Sequence, residues 1–307
     1  MDNSLITTYI LITEKLNSNK FTGHKIKLKS SILCRQEDVD YDVIENFCNV
    51  LKKNTSFSGY LDISYNNLNE INLFHVICSV YENKNIRGLN IKGNKITNMI
   101  FQKILLNLEH NNFEYLNIQS TQLNDQQIKN IIFSTLNKKV QSLKLPFLNI
   151  NTFQYLIKYL IYNDSIKKLH FFITYHNETI SKHTQNNENV IGNYQNYVHS
   201  LRNLFKQFIQ VVEDKANIKN VKCKMNFHDD EIEEMISFIN SVCEKHKRNS
   251  EKDQKMNEHI MRVTPLEKIQ LLISDINGTT KHIEKFEKEV QMTFDKDVIT
   301  FLQKILP

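Results

Sequence analysis

A short apolar pattern recurs along this chain at a nearly constant interval. In one unit, Ile86, Leu89, Ile91 and Ile96 occupy positions 1, 4, 6 and 11 of an eleven-residue segment, and Asn94 occupies position 9. The position-9 residues of the successive units are Ser31, Asn66, Asn94, Thr121, Leu148, Thr174 and Asn226. From the second to the sixth of these, the intervals are 26 to 28 residues. A period of this length indicates stacked repeats, each of which is one supersecondary unit.

The spacing of apolar residues changes within each unit. After Asn94, the apolar residues Ile100, Ile104 and Leu108 are four positions apart, which places them on one face of a helix. Asn111 follows, and asparagine is tolerated just past a helix end. Each unit is therefore predicted to consist of one short strand, a turn and one helix.

This unit resembles the L-x-x-L-x-L-x-x-N-x-L pattern of leucine-rich repeats, and its helix is typical of the ribonuclease-inhibitor-like class. The resemblance covers about residues 23–246 and is strongest at 57–173. It implies an α/β fold, a right-handed solenoid in a horseshoe arc with a parallel sheet on the concave face and helices on the convex face. It also implies that the position-9 asparagine hydrogen-bonds the turn backbone, because an unpaired buried amide is costly. Leu148 cannot do this and Pro146 lacks an amide donor, so we expect an irregularity at 146–149.

The ends of the chain and one long interval predict the domain organisation. Residues 1–22 are expected to form an N-terminal capping helix, and 23–246 about seven repeats with an insertion at 177–200. The first half of the insertion is polar and is predicted to be a mobile loop. Residues 247–263 are predicted to be a charged linker or an exposed helix end. A Thr-Pro-Leu-Glu helix start opens residues 264–307, which are expected to form a helical cap that closes the solenoid or binds a partner.

Composition excludes several classes of protein. The chain carries 39 Lys and Arg against 34 Asp and Glu, and a net charge of +5 is too small to indicate a nucleic-acid-binding protein by itself. The five cysteines lack the spacing of a disulfide framework, so we expect reduced thiols and a reducing, cytoplasmic compartment. No apolar run approaches the roughly 18 residues of a membrane span, and the N-terminus lacks a secretory signal pattern. Secretion into a host cell by a leaderless route stays open.

A search for catalytic and metal-binding motifs yields little. The P-loop, Gly-x-Gly-x-x-Gly, His-Glu-x-x-His, Gly-x-Ser-x-Gly and EF-hand patterns are absent. Cys243 and His246 are one helical turn apart, but two ligands do not make a zinc site. We therefore predict no catalytic residues, no metal and no cofactor, and we expect the protein not to be an enzyme. His176, His183 and His199, which cluster around the insertion, keep an enzymatic hypothesis open.

The resemblance also indicates which side chains lie on the face of the sheet that points away from the helices. In this family that face is concave, and we call it the open face. Positions 2, 3, 5, 7 and 8 of seven units give 35 such positions, with 11 Lys or Arg and 2 Asp or Glu. The open face is thus predicted to carry a net +9, whereas the rest of the chain is near −4. The candidate partner-binding residues are Lys27, Lys29, Tyr60, Tyr65, Arg87, Lys92, Tyr115, Lys144, Phe147, His170, Phe172, Lys222 and Lys224. Aromatic side chains flanked by charges suit a protein interface.

Three hypotheses about function follow. The first is a non-enzymatic protein-protein interaction module that binds an acidic partner protein through the open face. The chain is similar to leucine-rich-repeat effectors of intracellular bacteria such as Legionella, which implies a virulence role and a host-protein partner. Its helix-bearing repeats also resemble those of the Ran GTPase-activating protein, which implies regulation of a small GTPase. The second hypothesis is binding of phosphoinositide or nucleic acid through the same lysines, which predicts a steep salt dependence. The third is an enzyme acting at the insertion histidines.

Overall fold

The computed structural model describes residues 5–18, 21, 23–28, 41–66, 68–135, 139–175 and 187–262. The strands in these ranges are β1 Lys25–Lys27, β2 Tyr60–Asp62, β3 Gly88–Asn90, β4 Tyr115–Asn117, β5 Ser142–Leu148, β6 Lys168–Ile173 and β7 Asn220–Met225. The helices are α1 Leu5–Asn17, α2 Tyr41–Lys53, α3 Glu70–Glu82, α4 Asn98–His110, α5 Asp125–Ser134, α6 Ile150–Leu160, α7 Asn187–Asp214 and α8 Asp230–Arg262. One helix follows every strand, as the strand-turn-helix unit predicts.

The described strands form one parallel sheet whose spatial order is the order of the sequence, from β1 to β7. Leu61, Leu89 and Leu116 lie opposite one another in neighbouring strands, and their side chains are fully buried. Successive side chains of a strand point to opposite sides of the sheet, so the residues next to each leucine lie on the open face. Residues that the repeat pattern places at the same position in neighbouring units are therefore paired with each other across the sheet.

The helices form a second layer on the other face of the sheet. Each helix from α1 to α6 packs against the next one along the chain. Ile100, Ile104 and Leu108 of α4 are buried, which confirms the helical stripe inferred from their spacing. A parallel sheet in sequence order with a helix after each strand is the architecture of a leucine-rich-repeat solenoid, so the predicted fold class is confirmed. Neighbouring units supply the burial that a single unit lacks.

The position-9 side chain bonds to the turn backbone, as the repeat pattern implies. Asn94 donates from Nδ2 to the carbonyl oxygen of Ile63 at 2.9 Å and to that of Ile91 at 3.0 Å. The residue just before position 9 has left-handed backbone in three units, with φ of 58°, 72° and 56° at Tyr65, Gly93 and Ser120. Such a turn takes carbonyl groups out of the sheet ladder, and the position-9 side chain provides their hydrogen-bond donor.

A second set of buried asparagines stands at the ends of helices, where the sequence indicated only that asparagine is tolerated. Its members are Asn54, Asn83, Asn111 and Asn163. Asn83 donates from Nδ2 to the carbonyl oxygens of Leu51 at 2.7 Å and Asn54 at 3.0 Å, and its Oδ1 accepts from the backbone N–H of Asn85 at 3.0 Å. Asn111 and Asn163 bond to the end of the preceding helix in the same way. These side chains join consecutive units by satisfying carbonyls that a helix C-terminus leaves unpaired.

Strand β5 contains the irregularity expected around Pro146. Its pairing with β6 shifts register between Lys144 and Phe147, although the strand continues to Leu148. Proline has no amide hydrogen to donate to the ladder, so the shift occurs where a regular bond cannot form. The prediction of a local irregularity at 146–149 is confirmed, and the shift begins just before that segment.

The predicted insertion is helical in the part that the structure describes. Residues 187–200 form the beginning of α7, which continues to Asp214. Residues 177–186 lie outside the described ranges, as do His176 and Lys29. The later part of α7 belongs to the core, because Phe205 and Phe208 are fully buried.

Helix α8 extends through most of the stretch that was expected to be a charged linker or an exposed helix end. Residues 247–262 are helical, because no proline or glycine interrupts the sequence from Asp230 to Thr264. The chain divides into two compact units between Lys247 and Arg248. The predicted cap, 264–307, lies outside the described residues. Among the described helices, none has both the length and the apolar character that a membrane crossing requires.

Candidate functional site

The open face brings together basic side chains from three repeats. Lys144 of β5, His170 of β6 and Lys222 of β7 lie opposite one another in one row. The next row, two residues earlier in each strand, consists of Ser142, Lys168 and Asn220. Neighbouring strands of a sheet are about 4.8 Å apart, so two or three ammonium groups can reach the same small volume.

These rows line a pocket of about 460 Å³ on the open face. Tyr60 and Tyr115 also line it, with 5.6 Å between their ring centroids. The two rings approach each other over Gly88 of β3, where an added Cβ atom would lie 2.5 Å from the Tyr60 ring and 2.8 Å from Cβ of Tyr115. Glycine at this position therefore permits the tyrosine pair.

The acidic side chains of the open face are already paired. Glu114, which lines the pocket, accepts a hydrogen bond from Tyr60 Oη at 3.1 Å and has Arg87 Nη1 3.4 Å from Oε1. Asp62 Oδ2 lies 2.7 Å from Lys25 Nζ. Both predicted acids of this face thus neutralise basic groups other than the pocket lysines.

The pocket lysines have no such partners. In the described part of the chain, no carboxylate forms an ion pair with Lys144, Lys168 or Lys222. Burial lowers the pKa of the Lys144 ammonium group below its usual value, and the positive charges of Lys222 and other open-face lysines lower it further. Burial, followed by the charge of Lys144, likewise lowers the pKa of His170. The pocket therefore gathers like charges that no ion pair among the described residues neutralises.

The centre of the open face is a hydrogen-bonded ladder. Asp62, Asn90 and Asn117 occupy position 5 of β2, β3 and β4 and are only 4%, 7% and 4% exposed. Asn90 Nδ2 donates to Asp62 Oδ1 at 2.8 Å, and each of the three side chains accepts from the backbone N–H two residues further along. These three side chains, which were not among the predicted partner-binding residues, are thus engaged by turn amides, and Asn90 is also bonded to Asp62.

Four of the predicted residues form two separate aromatic sites on this face. Tyr65 lies in the turn after β2, is 46% exposed, and has Lys92 Nζ 5.3 Å from its ring centroid. Phe147 and Phe172 form a ring pair with centroids 5.4 Å apart, and Phe147 is 53% exposed. Neither site lines the pocket.

The remaining predicted lysines lie at the two ends of the sheet. Lys27 is exposed on β1, and Lys29 lies outside the described residues. Lys224 is exposed on β7 and lines a second groove of about 430 Å³ that β7 and the following residues form with α8. The predicted residues that the structure brings together in the pocket are Tyr60, Tyr115, Lys144, His170 and Lys222.

Several pocket residues were absent from the predicted set. Lys167 and Lys168 extend the basic lining, and Gln141, Ser142 and Asn220 add neutral polar groups. All of them occupy positions 2 or 3 of their units. The repeat register contained this signal, since position 3 lies beside position 5 on the same face of a strand.

Three of the described cysteines, which are buried or partly buried, occupy unreactive surroundings. Burial raises the pKa of the Cys48 thiol to about 12 and that of Cys243 to about 11, and it raises the pKa of Cys223 well above its usual value. The thiolate is the nucleophilic form of cysteine, so these thiols are poor nucleophiles at neutral pH. His246, one helical turn after Cys243, has its Nδ1 3.1 Å from the carbonyl oxygen of Ile218.

No family model and no curated protein matches the chain. Among solved structures, it is similar to leiomodin-1 actin-binding site 2, with 10% identity, a TM-score of 0.26, and coverage of 80% of this chain and 95% of that one. It is also similar to the C-terminal domain of tropomodulin from Caenorhabditis elegans, with 11% identity, a TM-score of 0.34, and coverage of 68% and 98%. These TM-scores are too low to transfer a partner or an activity to this chain.

Proposed function

We propose that this protein is a non-enzymatic module that binds an acidic partner protein through its open face. The main support is the group of lysines Lys144, Lys168 and Lys222, none of which forms an ion pair with a carboxylate of the described residues, next to the tyrosine pair Tyr60 and Tyr115. Aromatic side chains supply contact area at protein interfaces, and complementary charge steers the encounter. An acidic surface would compensate the lysines and cover the two rings at the same time.

A triple charge reversal on the open face tests this proposal. The variant Lys144→Glu/Lys222→Glu/Lys224→Glu is expected to lose a partner protein that the wild type retains in a pull-down, because the face changes from attraction to repulsion. Association with that partner is expected to slow as ionic strength rises, since salt screens steering between charges. The measurement is a comparison of bound proteins, followed by association rates at several salt concentrations.

The matched control reverses three exposed lysines on the helices. Lys53→Glu/Lys158→Glu/Lys245→Glu changes the net charge by the same amount but leaves the open face intact. Circular dichroism must show that both variants fold. The same partner list for the wild type and both variants would contradict a role for the open face, and loss of the partner in the control alone would move the interface to the helices.

Binding of nucleic acid or a phosphoinositide through the same lysines is the second candidate. The unpaired Lys144, Lys168 and Lys222 favour any polyanion, and a nucleic acid would make affinity fall linearly with the logarithm of salt concentration. The open face offers one arginine among the described residues, Arg87, and it is engaged by Glu114. Base-specific recognition, which relies on bidentate donors, is therefore poorly supported.

Finer versions of the proposal depend on resemblance alone. An effector role in a host cell, a host-protein partner and regulation of a small GTPase are hypotheses from the repeat class and the composition. The enzymatic alternative concerns His176 and His183, which lie outside the described residues, and His199, which is exposed on α7. The raised thiol pKa values of Cys48, Cys223 and Cys243 favour a binding module over a cysteine nucleophile.

A further inference from the structure

The pocket on β5, β6 and β7 has a local charge that one carboxylate would not balance. Lys144, Lys168 and Lys222 line it together with Lys167, while its acid, Glu114, is already bonded to Arg87 and Tyr60. Like charges held close together repel, and a partly buried group is screened less by salt than an exposed one. Lys144 is such a partly buried group. An anion of more than one charge would remove this repulsion.

The neutral groups of the pocket suit an anion with several oxygen atoms. The Asn220 Oδ1 lies 3.2 Å from His170 Nε2, so the neutral imidazole donates there and the amide Nδ2 of Asn220 is left as a donor. The hydroxyl of Ser142 lines the same pocket. A phosphate monoester carries a charge of about −1.5 to −2 at neutral pH and three acceptor oxygens, which matches three ammonium groups with added neutral donors.

The geometry points to a phosphate subsite, and we propose that this pocket binds a phosphate monoester carried by the partner protein as a phosphorylated side chain. The inference rests on the proposed function, because it names the chemistry by which the open face recognises its protein partner. The phosphate lies among Lys144, Lys168 and Lys222, and the residue next to the phosphorylated side chain contacts Tyr60 and Tyr115.

A phosphorylated protein segment fits this pocket better than a membrane lipid. Of the large apolar side chains that are exposed in the described part of the chain, only Tyr65 and Phe147 lie on the open face. Peripheral membrane binding depends on apolar area buried in the bilayer as well as on charge. The described part of the open face has few apolar side chains that could insert into a bilayer. An extended peptide can place a single side chain in the pocket.

The test compares peptide pools with the full-length protein. One pool is degenerate around a central phosphoserine or phosphotyrosine, and matched pools carry serine, tyrosine or glutamate at the centre. We expect a phosphorylated pool to bind at least about tenfold more tightly than the matched pools, the size typical of hydrogen bonds to a charged group. In Lys144→Gln/Lys222→Gln the preference is expected to fall about tenfold, whereas in Lys53→Gln/Lys158→Gln, which removes two exposed charges from the helices, it changes by less than about twofold.

A spectroscopic readout separates the pocket from general charge attraction. Inorganic phosphate, titrated at constant ionic strength, is expected to shift the NMR signals of Ser142, Lys168 and Asn220 with saturation. It should also raise the pKa of His170, because a nearby anion favours the imidazolium form. Both effects are expected to disappear in Lys144→Gln/Lys222→Gln and to persist in Lys53→Gln/Lys158→Gln.

Each remaining outcome overturns this inference in a different way. Equal binding of the glutamate and phosphorylated pools would refute the phosphate subsite and leave the acidic-partner proposal standing. Binding to phosphatidylcholine vesicles that contain a phosphoinositide, with no binding of phosphorylated peptides, would replace the protein ligand with a lipid. Equal loss of binding in the pocket and control variants would show that binding depends on net charge and not on the pocket. Failure of every acidic pool would refute the proposed function as well.

Discussion

Single asparagine side chains connect neighbouring repeats at two levels of this solenoid. At the strand ends, Asn94 satisfies carbonyls of its own turn and of the preceding one. At the helix ends, Asn83 bonds to the end of the preceding helix and to its own following backbone. An amide side chain both donates and accepts, so one residue can serve two adjacent units, which an alanine cannot do.

Replacement of Asn83 by alanine is expected to destabilise the protein by about 1–3 kcal/mol, because it leaves buried carbonyl groups without donors. The measurement is the free energy of unfolding from urea denaturation. Asn203→Ala is the control, since the Asn203 side chain is exposed and bonds to His199 one turn away in α7, and its effect should stay within about 0.5 kcal/mol. Equal effects of the two substitutions would show that the helix-end asparagines do not join the repeats.

Among the elements, the helix starts show how equivalent positions can differ between repeats. Asn124 caps α5 in a full capping box, in which it accepts from the Gln127 backbone and the Gln127 side chain bonds back. Thr97 holds the same place before α4 but makes no capping hydrogen bond through its side chain, and its Oγ1 is buried without a partner. The repeat aligns these positions, whereas the side chain decides whether the helix is capped.

Truncation of the two N-cap residues should therefore have different effects. Asn124→Ala is expected to lower the free energy of unfolding by about 1 kcal/mol, because α5 loses a donor-acceptor pair at its first turn. Thr97→Ala is expected to change it by less than about 0.5 kcal/mol. Thermal or urea unfolding of the two single variants provides the comparison, and a larger loss for Thr97→Ala would contradict the capping assignment.

In the molecule as a whole, each repeat is stabilised by the neighbours that cover it. The longest interval between position-9 residues contains α7, and this helix is tied to the repeats by an aromatic cluster. Phe208 is fully buried, with its ring centroid 5.6 Å from that of Phe153 in α6 and 5.8 Å from that of Phe171 in β6. Through this aromatic cluster, the unit that contains α7 packs into the same hydrophobic core as the other repeats.

Removal of one ring from this cluster should destabilise the whole array of repeats. Phe208→Ala is expected to cost about 3–5 kcal/mol, because it leaves a cavity between three elements. Phe238→Ala, which truncates a phenylalanine that is 46% exposed on α8, should cost less than about 1 kcal/mol. Urea denaturation followed by circular dichroism measures both, and a mild effect of Phe208→Ala would mean that α7 is not part of the cooperative core.

The repeat period was sufficient to predict the strand-helix unit, the buried leucines and the irregularity at Pro146. These features depend on residues close together in the chain, since side-chain direction alternates in a strand and returns every turn in a helix. For the same reason the sequence placed Lys144, His170 and Lys222 on one face. For residues 247–262 the sequence left two alternatives, because a charged stretch is compatible with both an exposed helix and a linker.

The sequence alone therefore determined which side chains face the core and which face away from it. The tertiary structure determined which of the outward-facing charges are available. Arg87 is paired with Glu114, and Lys25 with Asp62, so the net charge of the open face is not spread evenly. These pairs join residues from different repeats, and their geometry depends on how the repeats stack rather than on spacing within any one of them. Stacking leaves Lys144, Lys168 and Lys222 without an ion pair to any described carboxylate, and it makes one pocket, rather than the whole face, the candidate binding site.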